Sequence, residues 1–142
     1  MFIRQISIFA ENRNGAIMEI TKALGNSGIN IRALSIADTA DFGIVRLIVD
    51  KTDEALAALK AQDMTVSETQ VTAVSIADTP GAFNTALEAL YEGAVMIEYS
   101  YGFVSPIKGG ATVIVRCSEP EKAHELLKAK GLCLLTQADV SR

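Results

Sequence analysis

The sequence predicts an α+β fold made of two tandem copies of one small β-α-β-β-α-β domain, over residues 1–70 and 71–142. The first observation is an internal repeat, because a glycine opens an apolar helix pattern at Gly15 and again 66 residues later at Gly81. The apolar strand pattern around Asn30 returns at Met96 with the same offset. The second observation is that both copies alternate strand-like and helix-like spacing in the same order. A repeat of this length exceeds a solenoid unit and fits a small domain.

In the first copy, alternating apolar residues predict the strands and apolar stripes predict the helices. Ile6 and Ile8 alternate with polar neighbours, as in a half-buried strand. Ala16, Ile20 and Leu24 form one stripe of a helix that the following glycines end. The predicted strands are residues 3–9, 29–36, 44–49 and 64–70, with one helix after the first strand and another capped by Asp50 or Thr52.

The second copy repeats this order. Thr79 followed by Pro80 has the spacing of an N-cap and a first helical position, and Ser118 with Glu121 has the spacing of a capping box. Residues 68–70 are expected to form a stiff corner between the copies, because no Gly or Pro occurs nearby. The predicted strands are residues 71–77, 95–101, 111–117 and 132–138, and the helices are residues 80–91 and 119–130. Two such copies are two tandem ferredoxin-like domains.

Charge and composition exclude several classes of partner. The formal net charge of −4, without a run of Lys or Arg, argues against nucleic acid. No apolar run reaches the length of a membrane span, and the first residues lead directly into a strand pattern. Cys117 and Cys133 are expected to be buried thiols of a reducing compartment. We therefore expect no membrane partner and a cytoplasmic location.

The sequence offers few groups for catalysis. Its one histidine, His124, lies among charged residues of a predicted helix and is expected on a solvated face. We expect no catalysis, no metal site and no cofactor. Acylphosphatases share the element order but need an arginine in a phosphate-binding first turn, where only the first copy has one, Arg13. RNA-recognition motifs need aromatic residues on their central strands, whereas residues 44–49 and 112–116 are aliphatic with one arginine each.

The turns before the first helix of each copy resemble those of the ACT domain family, small regulatory modules that bind amino acids. The family pattern is Asn or Asp, any residue, Pro and Gly, followed later by a Gly-apolar-Asn-apolar strand. The first copy reads Asn12-Arg13-Asn14-Gly15 and then Gly28-Ile29-Asn30-Ile31, with Asn14 in place of proline. The second copy reads Asp78-Thr79-Pro80-Gly81 and then departs at Ala94 and Met96. The resemblance covers nearly the whole chain, as two tandem ACT domains.

The residue types of these turns suit an amino-acid zwitterion. A helix N-terminus offers backbone N–H groups and a partial positive charge to a carboxylate. Glycine lets a ligand approach the backbone closely. An adjacent Asp or Asn oxygen accepts hydrogen bonds from an ammonium group.

The resemblance to ACT domains implies a ligand between two modules, which touches the turn of one and the second strand of the other. Two non-equivalent pockets follow. The first is expected to contain Ile29, Asn30, Ile31, Arg32, Asp78, Thr79, Pro80, Gly81, Ala82 and Phe83. The second is expected to contain Asn12, Arg13, Asn14, Gly15, Ala16, Ile17, Val95, Met96 and Ile97. We favour the first pocket, because a thioether at Met96 cannot replace the hydrogen-bond donors of Asn30.

Each of these features also has a structural explanation. The two turn glycines are typical of tight turns, and Asn12 and Asp78 are typical helix caps. Met96 fits a core position better than a ligand contact. Asn30 is harder to explain in this way, since asparagine is disfavoured within strands.

The sequence therefore predicts a regulatory sensor that binds a free amino acid, has no catalysis and acts on a regulated enzyme. We expect a homodimer, because each small half gains from burying more apolar surface. Tyr99 and Tyr101 share one strand face and fit either a pocket or a dimer surface. The alternative is a structural or protein-interaction module of the same fold without a ligand.

Overall fold

The computed structural model describes residues 2–38, 42–103 and 108–141. It confirms the α+β class and the repeated order of strands and helices. The strands are β1 (Ile3–Glu11), β2 (Ile31–Asp38), β3 (Phe42–Val49), β4 (Thr65–Ala77), β5 (Ile97–Phe103), β6 (Gly110–Cys117) and β7 (Cys133–Leu134). The helices are α1 (Ala16–Asn26), α2 (Thr52–Ala61), α3 (Ala82–Glu92), α4 (Pro120–Ala129) and α5 (Gln137–Val140). Within the described ranges, no helix is long and apolar enough to cross a bilayer.

The chain divides into two compact units. The N-terminal unit comprises residues 4–69 together with residues 140 and 141, and the C-terminal unit comprises residues 2 and 3 together with residues 70–139. Strand β4 contributes residues 65–69 to the first of these units and residues 70–77 to the second.

In the N-terminal unit, the sheet order is β2-β3-β1-β4. Ile6 and Ile8 of β1 lie opposite Leu47 and Val45 of β3. These four side chains are buried and pack with the apolar stripes of α1 and α2. Burial of apolar surface contributes about 25 cal/mol per Å², so this layer is the main stabilising contact of the unit.

In the C-terminal unit, the sheet order is β7-β4-β6-β5. Val74 of β4 and Val115 of β6 lie in a buried cluster with Leu90 of α3 and Leu127 of α4. The second copy thus builds its core from the same elements as the first.

Four helices end in the same turn, a Schellman motif with one residue in the left-handed conformation. A backbone N–H closes each turn by donating to a carbonyl five residues earlier, in Ile29 to Leu24 (3.0 Å), Met64 to Leu59 (3.2 Å), Val95 to Leu90 (2.9 Å) and Leu132 to Leu127 (3.1 Å). The residues of positive φ are Gly28 (70°), Asp63 (58°), Ala94 (57°) and Gly131 (81°). Two of the four turns therefore place a side chain where L residues are disfavoured.

The predicted corner at residues 68–70 is wrong, because β4 is one strand of 13 residues. β-Branched residues recur through this segment, and no Gly or Pro interrupts it. An uninterrupted β-forming stretch has no local reason to turn.

The predicted last strand, residues 132–138, is wrong over most of its length. β7 has two residues, and α5 follows it. The Thr136 N–H and hydroxyl both donate to the Asp139 carboxylate, at 2.7 and 2.9 Å, and this cap starts the helical turn. The Thr-x-x-Asp spacing of residues 136–139 is a capping signal that is visible in the sequence.

Three expected burial states are also wrong. His124 is 3% exposed, and its ring centroid lies 4.3 Å from that of Phe2, which covers it. Cys133 is exposed on the short strand β7, whereas Cys117 is buried as predicted. Met96 is 70% exposed rather than in the core, because the left-handed turn before it directs Val95 inward.

Candidate functional site

The turns that precede α1 and α3 have the same backbone. Gly15 has φ 87° and ψ −7°, and Gly81 has φ 83° and ψ −7°. Glycine adopts this left-handed conformation without strain, so the repeated glycine has a local cause. As a result α3 begins at Ala82, and not at Pro80 after a Thr79 cap as predicted.

Among the residues that the structure describes, no side chain caps α1 or α3. The Glu19 N–H donates to the Gly15 carbonyl at 3.0 Å, and the Thr85 N–H donates to the Gly81 carbonyl at 3.3 Å. Of the N–H groups ahead of these donors, those of Ala16 and Ala82 donate to the carbonyls of Arg13 (3.3 Å) and Thr79 (3.2 Å) in the turn. The N–H groups between them and these donors have no partner inside the helix. Both helix starts therefore present a partial positive charge to an anionic group. The alternative in which Asn12 and Asp78 serve only as helix caps is wrong.

In the N-terminal unit, the cation of the turn is already paired. Nη1 of Arg13 lies 3.2 Å from Oε1 of Glu19, Nη2 donates to Oε2 of the same carboxylate, and Nε lies 3.4 Å from Glu11. The hydrogen bond between them raises the pKa of Arg13 and lowers the pKa of Glu19. Among the other residues of the turn, Asn12 and Asn14 are exposed, Gly15 and Ile17 are half-buried, and Ala16 is buried.

In the C-terminal unit, the anion of the turn is unpaired. Asp78 is exposed, and its carboxylate has no hydrogen-bond or ion-pair partner among the described residues. Its backbone N–H donates to the Gly109 carbonyl at 3.3 Å, which ties the turn to the residue before β6. The rest of the turn is exposed at Thr79, Pro80 and Gly81 and half-buried at Ala82 and Phe83.

Asn30 and Met96 occupy equivalent positions in a repeated pair of hydrogen bonds, which we call the clip. It joins the residue before β2 or β5 to the residue after β3 or β6. The Asn30 N–H donates to Oδ1 of Asp50 at 2.9 Å, and the Asp50 N–H donates to the Asn30 carbonyl at 3.1 Å. Met96 makes the same two bonds with Ser118, from its N–H to the hydroxyl at 3.1 Å and from the Ser118 N–H to its carbonyl at 2.9 Å. Both residues therefore precede a strand, and the prediction that Asn30 lies within β2 is wrong.

The clip accounts for two further differences from the predictions. Asp50 and Ser118 are engaged with the strand starts, so neither caps a helix, and the N-cap positions of α2 and α4 are Lys51 and Glu119 without a side-chain bond. The clip uses only the backbone of Asn30. Its side-chain amide is exposed and has no hydrogen-bond partner in the described part of the chain.

The neighbours of these two positions follow the strand alternation. Ile29 and Val95 are buried, and Ile31, Arg32 and Ile97 are half-buried. Each predicted pocket combines a turn of one unit with the strand start of the other, so its assembly stays a prediction. The N-terminal unit contains residues 12–17 and 29–32, and the C-terminal unit contains residues 78–83 and 95–97.

A cavity of about 320 Å³ lies beside the turn of the N-terminal unit. Arg13 and Ala16 are the predicted site residues that line it. Its lining also includes residues that the sequence analysis did not select, among them Phe9, Glu11, Glu19, Phe42 and Asp63. The two glutamates flank the turn in the sequence and could have been selected by proximity. The others reach the cavity only through the fold.

Comparison with known proteins places this chain among small regulatory modules. The family model described as an ACT domain pair matches residues 1–142. The crystal structure of protein BT0572 from Bacteroides thetaiotaomicron is 40% identical, with a TM-score of 0.93 over 100% of this chain and 97% of that chain. No curated protein matches the sequence.

Two solved structures of lower identity share the fold. The regulatory subunit of aspartate kinase from Thermus thermophilus is 18% identical, with a TM-score of 0.64 over 89% of this chain and 91% of that one. The same subunit from Thermus flavus is 17% identical, with a TM-score of 0.61 over 90% and 92%.

Proposed function

The chain belongs to the ACT domain pair family, and on this premise we propose that it is a regulatory sensor that binds a free amino acid without catalysis of its own. The observation that carries the proposal is the pair of helix starts after Gly15 and Gly81, which no side chain of the described ranges caps. Their backbone N–H groups suit the carboxylate of a ligand. The Asp78 carboxylate beside one of them suits its ammonium group.

We propose the turn at Asp78 together with Asn30 as the main pocket. Both polar side chains lack partners among the described residues, so a ligand can bind them without first breaking another bond. In the second pocket, Arg13 is already paired with two glutamates, and Met96 offers no hydrogen-bond donor. The first pocket therefore has more free hydrogen-bonding capacity for a zwitterion.

We propose residues 1–70 and 71–142 as the two modules, a homodimer as the assembly and an enzyme as the regulated partner. Two proteins of this fold are described as regulatory subunits of aspartate kinase, which supports an enzyme as the class of partner. Cys117 and Cys133 are free thiols, which supports a reducing compartment such as the cytoplasm.

A thermal scan of the full chain against each free amino acid tests the proposal. A ligand that binds only the folded state raises the melting temperature, with a gain of about 2.7 kcal/mol at 100 times its dissociation constant. We expect a shift with one or a few amino acids and none with their N-acetylated amides, which lack both charges. If no amino acid shifts the midpoint at millimolar concentration, the alternative of an interaction module is favoured.

A further inference from the structure

The cavity of about 320 Å³ beside the turn before α1 is complete within the N-terminal unit. It lies at the end of β1, and residues 62–65, in the turn after α2 and at the start of β4, also line it. It shares Arg13 and Ala16 with the second predicted pocket, but all its lining residues belong to one unit. Its volume is at the lower end of the range of small-molecule sites. The cavity is therefore a candidate binding site by itself.

The cavity combines a buried apolar floor with two exposed aromatic rings. Ile8 and Ala16 are buried and line it. Phe9 and Phe42 also line it, although they are 53% and 54% exposed. Phe9 lies opposite Ile44 of β3, two residues after Phe42, so the two rings share one sheet face as diagonal neighbours. Large apolar side chains left open around a cavity are typical of a ligand site.

The charged groups of the lining have an excess of negative charge. Glu11, Glu19 and Asp63 contribute three carboxylates, and Arg13 contributes one guanidinium, which leaves a formal charge of −2. The guanidinium is already paired with the two glutamates. The partial positive charge at the start of α1, about half an elementary charge, is too small to reverse this excess. The cavity therefore attracts a cation and repels a carboxylate.

The second copy repeats the backbone around this cavity but not its side chains. Glu11 lies opposite Phe42, and 66 residues later Ala77 lies opposite Gly110 in the same register. The repeat itself therefore requires neither an acid nor an aromatic ring at these positions. The cavity groups Phe9, Glu11, Glu19 and Phe42 correspond to Ser75, Ala77, Thr85 and Gly110.

Asp63 differs from the second copy in the same way. It occupies the left-handed position of the turn after α2, with φ 58°, where the second copy has Gly131 with φ 81°. The N–H groups of both residues donate to the equivalent carbonyls of Lys60 (3.0 Å) and Lys128 (2.9 Å). Glycine is the residue that this conformation favours, so the turn does not require a carboxylate. The Asp63 carboxylate has no hydrogen-bond or ion-pair partner among the described residues, and it lines the cavity.

We propose that this cavity binds a small organic amine, in which an ammonium group is attached to an apolar skeleton without a carboxylate. The Asp63 carboxylate is free to pair with the ammonium group, and the faces of Phe9 and Phe42 attract it as well. The apolar floor suits the carbon skeleton, whereas a hydrated metal ion would gain nothing from the floor or from the rings. The ligand class differs from the amino acid of the proposed function, so the cavity is a further site.

An NMR titration of the full chain with 2-phenylethylamine tests the proposal. We expect saturable shifts at Phe9, Phe42 and Asp63, with a dissociation constant of about 1 mM or lower. N-acetyl-2-phenylethylamine keeps the skeleton without the charge, and phenylalanine adds a carboxylate to the same amine. Both should bind at least about tenfold more weakly at this site. Calcium chloride at the same concentration should leave these signals unchanged.

Two variants, each with a matched control, test the assignment of the residues. Asp63→Asn removes the charge and keeps a residue that tolerates the left-handed conformation, and Phe9→Ser introduces the residue of the second copy. Each is expected to weaken binding of 2-phenylethylamine about threefold to tenfold. Glu54→Gln removes an exposed carboxylate of α2 that does not line the cavity, and Tyr91→Ser removes an exposed ring of α3. Both controls should leave the constant unchanged, and melting curves verify that all four variants fold.

Four results would overturn the proposal. They are the absence of saturable shifts at roughly ten times the expected dissociation constant, equal binding of the uncharged acetylated probe, displacement of the amine by calcium, and an equal loss of binding in the control variants. Phenylalanine that binds these residues as tightly as the amine would also overturn it, because the cavity would then be an amino-acid site. The thermal scan with amino acids tests the proposed function separately, so either proposal can fail alone.

Discussion

At the scale of single residues, His124 is a titratable group inside a core. Its side chain is 3% exposed beside Phe2, and neither ring nitrogen has a hydrogen-bond partner among the described residues. Burial lowers its pKa, and the positive charge of Lys128 lowers it further. The folded protein therefore favours the neutral imidazole.

We expect the stability of the protein to fall as the pH drops below about 6.5. The lowered pKa means that the unfolded chain binds a proton more readily than the folded one. The stabilisation is therefore complete above the unfolded pKa and is lost as the pH falls through the folded pKa. Thermal melts between about pH 7 and pH 5 should show this fall, and His124→Phe, which keeps a packed ring without a titratable group, should remove it.

An NMR titration of the imidazole signals measures the folded pKa of His124 directly and serves as the control. The signals are unambiguous because the chain has a single histidine. A folded pKa at or above the ordinary value would contradict the prediction, as would an equal fall in the variant. The carboxylates of Glu19 and Asp53 do not contribute to the change in stability expected between about pH 7 and pH 5. Their pKa values are lowered by hydrogen bonds from Arg13 and Arg4, so their stabilisation is lost only as the pH falls further, below about 4.5.

At the scale of elements, the turns after α1 and α3 have the same hydrogen bonds but differ in the residue at the left-handed position. In the turn after α1 the left-handed residue is Gly28 with φ 70°, and in the turn after α3 it is Ala94 with φ 57°. The hydrogen bonds of the two turns are the same. The second copy thus uses a residue with a Cβ in a conformation that favours glycine.

We expect Ala94→Gly to raise the free energy of unfolding by about 1 kcal/mol, because it removes the left-handed strain of an L residue. The reverse change, Gly28→Ala, should lower it by a similar amount. A Cβ at Gly28 would meet no atom within 4 Å, so strain alone decides its effect. Urea unfolding of both variants measures the two changes, and a destabilised Ala94→Gly would show that the Ala94 methyl group makes a contact of greater value.

The order of the elements was predictable, whereas several of their limits were not. Apolar spacing predicted strand structure at each of the eight expected places, because the strand period of two and the helix period of 3.6 are fixed by the backbone. Two of these, residues 64–70 and 71–77, form the single strand β4, and the last is reduced to the two residues of β7. β2 starts after Asn30 because a clip from Asp50, distant in sequence, engages that residue. β7 is short because the Thr136–Asp139 cap competes with strand pairing.

At the scale of the whole molecule, the proposed pocket draws on both units. Asp78 belongs to the C-terminal unit and Asn30 to the N-terminal unit. Neither side chain has a structural bond among the described residues. Their removal should therefore change ligand binding without changing the fold.

We expect Asn30→Ala and Asp78→Ala each to weaken amino-acid binding about tenfold to a hundredfold, because a hydrogen bond to a charged group is worth about 1.5–3 kcal/mol. Calorimetric titration with the amino acid found in the thermal scan measures the loss. If one ligand contacts both residues, the double variant should depart from the sum of the single effects. Melting temperatures without ligand should stay close to wild type.

The matched control removes the equivalent groups of the second pocket, as Asn12→Ala and Met96→Ala. Their affinities should be nearly unchanged. If this pair abolishes binding while Asn30→Ala has no effect, the order of the two pockets is reversed. If all four variants bind normally, the two turns have no role in recognition.

The sequence by itself determined the repeat, the order of the elements, the family and the two glycine turns, because each depends on local spacing or on one residue's allowed conformation. Only the tertiary structure decided which polar side chains already have a hydrogen-bond or ion-pair partner. Arg13 is paired and Asp78 is not, His124 is covered and Phe9 is left open. Spacing tells which face of an element is apolar, but whether that face or a side chain finds a partner depends on residues far away in the sequence.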